Sequence, residues 1–216
     1  MRGRRGLRSR AVEARVAVLA SGAGTNLQAL LDDPVVGPWI VLVLSDRKRA
    51  LALERARARG VRAEFVDPAL FHGRSSYGEA LLDALGREAV EHVVLAGFMR
   101  IVDAEVVRAY EGRMLNIHPS LLPAFPGRRA VHDALAWGAK VSGVTIHLVD
   151  EQVDHGPIVM QEAVPVLDDD DEATLHARIR EVEHRQYPRA VRMLVEGRLE
   201  VQGRRVRMMG AYEAAR

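Results

Sequence analysis

Asn116 and His118 stand two residues apart in the run Leu115-Asn-Ile-His-Pro-Ser-Leu-Leu-Pro123. In an extended segment such residues share a face, so an amide and an imidazole would project side by side. Further along, Asp154 lies in Asp150-Glu-Gln-Val-Asp-His-Gly-Pro157, a stretch with turn character that could return a carboxylate to the pair. A carboxylate beside an imidazole favours its charged form, which suits a cation or a proton shuttle near neutrality. Amide, imidazole and carboxylate together fit acyl-group chemistry, with donors for a developing oxyanion and a group that manages protons. A lone histidine is more often a hydrogen-bonded structural residue, so the chemistry rests on the three residues jointly.

The chain has no cysteine. It also has no serine in a Gly-x-Ser-x-Gly elbow, so the attacking group should belong to the substrate or to water. His118, His147 and His155 show no recognised ligand spacing, and strand alternation alone leaves the face of His147 open. No metal is therefore expected.

A second signal is the loop Ser21-Gly-Ala-Gly-Thr-Asn26, between an apolar run and a helical pattern. Glycines let a backbone approach a ligand closely, and a following helix N-terminus presents N–H groups to an anion, so a phosphate site is natural here. A dinucleotide fingerprint would require a third glycine where Leu27 stands, which weighs against a nicotinamide cofactor. Asp46 at the end of the second strand, with Arg47, Lys48 and Arg49 beside it, keeps that rival open. A tight turn without a ligand is the plain alternative.

These residues need elements to hold them. Apolar, β-branched runs predict strands at 15–20, 40–45, 63–66, 93–96 and 114–117, with helices at 26–32, 50–59, 77–89 and 104–110. Near-continuous apolar strands are those buried on both faces, and their alternation with helices predicts right-handed crossovers in a doubly wound α/β sheet of Rossmann-like type. Asn116 and His118 would then end a strand at the carboxyl edge, where ligands bind. Beyond Pro119 come an ordered loop at 120–129, a helix at 131–137, and strands at 144–149 and 158–166 joined so briefly that they must be antiparallel. The sheet should thus be mostly parallel with antiparallel strands in its C-terminal half. The acidic run 168–171 reads as the cap of a long helix at 172–196, in preference to a metal site.

Composition narrows the partners. The 216 residues carry 31 Lys+Arg against 29 Asp+Glu, a net +2, of which residues 1–14 hold +4. The remainder is therefore slightly acidic, and aromatic residues are only 5%. A nucleic-acid surface would spread its basic groups over the fold and interleave aromatics for stacking, so no nucleic-acid partner is expected. Only Lys48 and Lys140 are lysines. No apolar run reaches the roughly 18 residues of a membrane span, and the absence of cysteine fits a cytoplasmic location. Residues 1–14 are expected to be a disordered basic tail, 15–203 a single domain, and 204–216 a C-terminal tail.

Four ordered segments carry a resemblance. Ser21-Gly-Ala-Gly-Thr-Asn-Leu-Gln28, Ala96-Gly-Phe-Met-Arg-Ile101, Asn116-Ile-His-Pro-Ser-Leu-Leu-Pro123 and Gly143-Val-Thr-Ile-His-Leu-Val-Asp-Glu-Gln-Val-Asp-His-Gly-Pro157 resemble the phosphoribosylglycinamide formyltransferase family of folate-dependent enzymes in purine synthesis. The likeness covers about residues 15–203. It implies transfer of a formyl group from 10-formyltetrahydrofolate to the amine of glycinamide ribonucleotide, with Asn116, His118 and Asp154 catalytic. It further implies that Gly22, Gly24, Thr25 and Asn26 hold the ribonucleotide phosphate and that Glu183, in Glu-His-x-x-Tyr-Pro, contacts the ribonucleotide. Arg74 and Met99, Arg100, Ile101 and Val102 would line the folate site, with Asn116, Asp150, Val153 and Asp154 meeting the pterin. The family includes monomers and homodimers. One departure is Arg128-Arg129, where the family commonly carries a histidine after the Pro-Gly pair. A formyltetrahydrofolate hydrolase, with water as acceptor, is the enzymatic alternative, although only 14 residues precede the first strand. A non-enzymatic nucleotide- or folate-binding module is the other. Tests of acceptor dependence separate these readings. Related formyltransferases acting on tRNA or sugars carry a further domain after the catalytic one.

Overall fold

The computed structural model describes residues 13–209. Strands β1 (Val16–Leu19), β2 (Ile40–Ser45), β3 (Arg62–Phe65), β4 (His92–Leu95) and β5 (Met114–His118) alternate with helices α1 (Thr25–Asp32), α2 (Leu51–Ala58), α3 (Arg74–Arg87) and α4 (Ala104–Ala109). There follow α5 (Ala130–Trp137), β6 (Val141–Leu148), β7 (Ile158–Pro165), α6 (Glu172–Val195), β8 (Leu199–Gln202) and β9 (Arg205–Met208).

The nine strands of the described residues form one sheet in the order β3-β2-β1-β4-β5-β6-β7-β9-β8. The first five are parallel. β6 then pairs antiparallel with both β5 and β7. The central strands show why their sequences are apolar throughout. In β1, Val16 and Val18 enter a core with Leu27, Leu30 and Leu31 of α1 and Leu175, Ile179 and Tyr187 of α6. Ala17 and Leu19 enter a second core with Leu81 and Leu85 of α3 and Val106 of α4. Alternate residues thus serve opposite faces, each covered by helices.

Strand order reverses direction between β1 and β4, and such a switch point leaves a crevice outside the carboxyl ends of the strands. The loops after β1, β4 and β5 open there.

The expected boundary at Gly203 needs correction. Gly203 lies in the turn of a β8–β9 hairpin, and β9 joins the sheet beside β7 through Ile158 and Arg205, so residues 205–208 belong to the sheet. Residues 210–216 of that expected tail, and residues 1–12 of the basic one, fall outside the described residues, whereas Ala14 is already buried against the core. The acidic run acts as a cap: Asp171 and Thr174 exchange hydrogen bonds at the start of α6, while Asp170 pairs with Arg178. The Arg178 guanidinium and the Leu167 N–H hold the Asp170 carboxyl well below the usual range.

Candidate active site

Beneath the switch point lies a cleft of about 610 Å³, within the range of small-molecule sites. Gly22, Gly24, Thr25 and Asn26 line it, as do Asn116, His118, Asp154 and Glu183.

Gly24 is the N-cap of α1 at φ 69°, and no side chain caps the helix there. The first-turn N–H groups are therefore not capped by a side chain, an arrangement that favours an anion. Ser21 fixes the loop to the next segment, its Oγ accepting from the Met99 N–H at 2.8 Å and its own N–H donating to the Gly97 carbonyl at 3.1 Å. Asn26 donates through Nδ2 to Glu183 Oε2 at 3.0 Å, and its Oδ1 is buried with no partner among the described residues. Burial pushes the Glu183 carboxyl upward, opposed by the Asn26 amide and the Arg180 charge.

The polar trio forms one contact group. β6 runs antiparallel to β5, with Leu148 opposite Leu115, so the turn that follows β6 starts beside the beginning of β5. That turn folds back along the strand to bring Asp154 to the end of β5. Asp154 Oδ2 stands 3.4 Å from His118 Nδ1, and Asp154 Oδ1 accepts from Asn116 Nδ2 at 3.4 Å. The carboxylate is fixed independently by the Gly127 N–H at 2.7 Å. Asp154 adopts φ 51°, a left-handed conformation that costs a non-glycine residue on the order of 1 kcal/mol and tends to occur at functional sites. The other nitrogen of His118, Nε2, lies 2.8 Å from the Phe125 carbonyl, so it carries a proton and donates.

His147 lies directly opposite Asn116 across the β5–β6 ladder, at a register irregularity between Ile146 and His147. Paired residues share a face, which settles where its ring points. Nδ1 donates to the Leu148 carbonyl at 2.8 Å, leaving Nε2 to accept from Asn116 Nδ2 at 3.2 Å. Burial lowers its pKa, which favours this neutral tautomer. His147 therefore orients the Asn116 amide. Among the described residues no group of three or more His, Asp or Glu is placed to hold a metal ion.

Met99, Arg100, Ile101, Val102, Asp150 and Val153 all line the cleft. Met99, Ile101 and Val153 are exposed apolar side chains at its walls, and Arg100 stacks over the Tyr77 ring at 5.3 Å. Arg74 is not brought in. It opens α3 with Nε 3.5 Å from Asp103 and is absent from the cleft lining. Asp46 is likewise outside the lining. Conversely, Arg128 and Arg129 line it, together with His176 and Arg180 of α6, which sequence reasoning passed over. Glu172, His176, Arg180 and Glu183 are spaced four, four and three apart, so one helix face carries them, and that spacing was the signal available.

An amide, an imidazole and a carboxylate converge in one cleft with an uncapped helix N-terminus, an arrangement suited to transfer of an acyl-type group. The chain belongs to the formyl transferase family, whose pattern matches residues 14–191. The phosphoribosylglycinamide formyltransferase of Mycobacterium tuberculosis (strain ATCC 25618 / H37Rv) is 44% identical over 200 residues, covering 89% of this chain and 93% of that protein. The crystal structure of glycinamide ribonucleotide transformylase 1 from Symbiobacterium toebii superposes with a TM-score of 0.91 at 48% identity, over 95% of this chain and 98% of that one. The trifunctional purine biosynthetic protein adenosine-3 of Drosophila melanogaster is 47% identical over 188 residues, and the match spans only 14% of its length.

Proposed function

We propose that the protein transfers the formyl group of 10-formyltetrahydrofolate to the amine of glycinamide ribonucleotide, the acceptor for which its relatives are named. The observation that carries this reading is the Asp154 carboxylate held between His118 and Asn116, in a cleft with an uncapped helix N-terminus and exposed apolar walls. One strand, β4, separates β1 from β5, so the glycine loop and the polar trio lie about 10 Å apart at ordinary strand spacing. A ribose phosphate bearing a short amine arm bridges such a span. In this placement Gly22, Gly24, Thr25 and Asn26 take the phosphate, Arg180 adds charge, and Glu183 takes a ribose hydroxyl. Met99, Ile101 and Val153 pack on the folate, with Arg100, Val102 and Asp150 completing its site.

The substrate amine attacks the formyl carbon, and the carbonyl oxygen takes up negative charge. With Nε2–H committed to Phe125, His118 offers Nδ1–H, and Asn116 offers the amide hydrogen that otherwise makes the long 3.4 Å contact with Asp154. Both are donors that act as the oxyanion develops. Asp154 accepts a proton as the amine loses it, and that proton passes to N10 as the bond from the formyl carbon to N10 breaks. The new carbon–nitrogen bond replaces the old one, and no other reactant is needed. The cytoplasm is the expected location.

Incubation with 10-formyltetrahydrofolate, with and without glycinamide ribonucleotide, tests the reading. Tetrahydrofolate formed only when the ribonucleotide is present supports it; equal release without ribonucleotide indicates a hydrolase, and no release overturns both.

A further inference from the structure

The turn between β6 and β7 carries Asp150, Val153 and Asp154, yet Glu151, Gln152 and Val153 are exposed and Asp154 is left-handed. Its internal bonds are few. Asp150 Oδ1 accepts from the Gln152 N–H at 3.0 Å, and the Leu148 N–H closes the base on the Pro157 carbonyl at 2.9 Å. An exposed ion pair between Arg108 and Glu151 adds little, because such pairs are screened and mobile.

A stronger hold comes from the C-terminal hairpin. Arg204, at its turn, donates through Nη2 to the His155 carbonyl at 2.7 Å, and its Nη1 lies 3.2 Å from His155 Nε2. His155 Nδ1 lies 2.7 Å from Asp150 Oδ2. One tautomer satisfies both contacts: with its proton on Nδ1, His155 donates to Asp150 and accepts from Arg204. The anchor itself is braced, because β9 meets β7 at Arg205 and Ile158, one residue beyond Arg204 and three beyond His155. The hairpin base is closed by Arg198, which accepts from the Met209 N–H and donates through Nε to the Met209 carbonyl, both at 2.8 Å.

We infer that Arg204 is a positioning residue for the folate-facing turn, acting through His155 to fix Asp150 and the backbone leading to Asp154. The functional part of this inference rests on the placement of folate against residues 150–154 proposed above. The glycine loop and Glu183 lie on other elements, so the effect should fall on one substrate only.

Arg204→Ala should raise the KM for 10-formyltetrahydrofolate about tenfold, the scale of a lost hydrogen bond to a charged donor, with less than about a twofold change for the ribonucleotide. Arg204→Lys keeps the charge and a single donor and should recover part of the loss. Arg207→Ala, on the same hairpin, is the control and should leave both KM values unchanged. Amide hydrogen exchange reads the same idea without turnover: residues 150–157 should exchange faster in Arg204→Ala than in the parent, with an unchanged melting temperature. Equal exchange in the two proteins overturns the inference, as does an equal rise of both KM values. Failure of the parent to transfer formyl would instead count against the proposed function, and the exchange comparison would still decide the role of Arg204.

Discussion

Asp154 takes the Gly127 N–H on the oxygen that faces His118 and the Asn116 amide on the other, so a single carboxylate sets the spacing of both candidate oxyanion donors. Removing His118 should leave the cleft walls and the glycine loop intact. His118→Ala is expected to lower kcat by roughly a hundredfold to a thousandfold, the cost of one oxyanion donor, while tetrahydrofolate and ribonucleotide still bind by calorimetry. Turnover at the parent rate would refute the catalytic role. Glu183 makes a different case. Burial raises its carboxyl above the usual 4.5, so ionisation opposes folding: stability present below pH 4.5 is lost as pH rises through the folded value. A glutamine there still accepts from Asn26 but carries no charge. Glu183→Gln should therefore melt about 2–4 °C higher at neutral pH for each kcal/mol relieved, while the KM for ribonucleotide rises about tenfold. A lower melting temperature would contradict the burial argument, and an unchanged KM would remove Glu183 from the ribose.

Elements decide which of these residues could be seen in advance. β1, β2 and β4 were legible because strands buried on both faces are apolar at nearly every position, and the glycine loop followed from the first of them. Asn116, His118 and Asp154 were legible because their chemistry is unusual as a set. His147 was hidden because its face depends on the β5–β6 register, which no local pattern encodes. The β8–β9 hairpin was hidden too: Leu199-Glu-Val-Gln and Arg205-Val-Arg-Met are short, charged and largely exposed, so neither reads as a strand and the second falls in the expected tail. Arg74 was carried over by likeness alone, and here it serves Asp103, the cap of α4. Gly24 tests the element that the sequence announced most clearly. It combines φ 69° with close contact to α2, where an added Cβ would stand 2.8 Å from the Ala52 Cα. Neither the backbone of α2 nor the left-handed cap can yield cheaply. Gly24→Ala should lower the melting temperature by several degrees and raise the ribonucleotide KM more than the folate KM, as measured by differential scanning fluorimetry and steady-state kinetics. Unchanged values would mean that the loop does not hold the phosphate in this conformation.

Across the whole molecule, the near-neutral charge of +2 conceals an asymmetry in how the fold titrates. His92, His147, His176 and His184 all have pKa values lowered from the usual 6.5, in each case chiefly by burial. A lowered histidine pKa means that the unfolded chain binds more protons than the native one just below pH 6.5, so the stability these residues contribute is present above that value and lost as pH falls through the folded values. The lowered carboxylates Asp33, Asp168, Asp170 and Asp171 contribute stability that persists until pH approaches their unfolded value of 3.8, well below this window. Glu183 acts with the opposite sign, but as one group against four. The melting temperature should therefore fall between pH 7.5 and 5.5, the window just below the unfolded histidine value of 6.5. His92 lets the cause be isolated. It starts β4, does not line the cleft, and its Nδ1 is buried without a partner among the described residues. His92→Gln should flatten the pH dependence of melting while formyl transfer at pH 7.5 stays at the parent rate. A variant that melts with the parent's slope would show that the acid sensitivity arises elsewhere, and a parent that melts independently of pH would show that the buried rings are not held neutral at all.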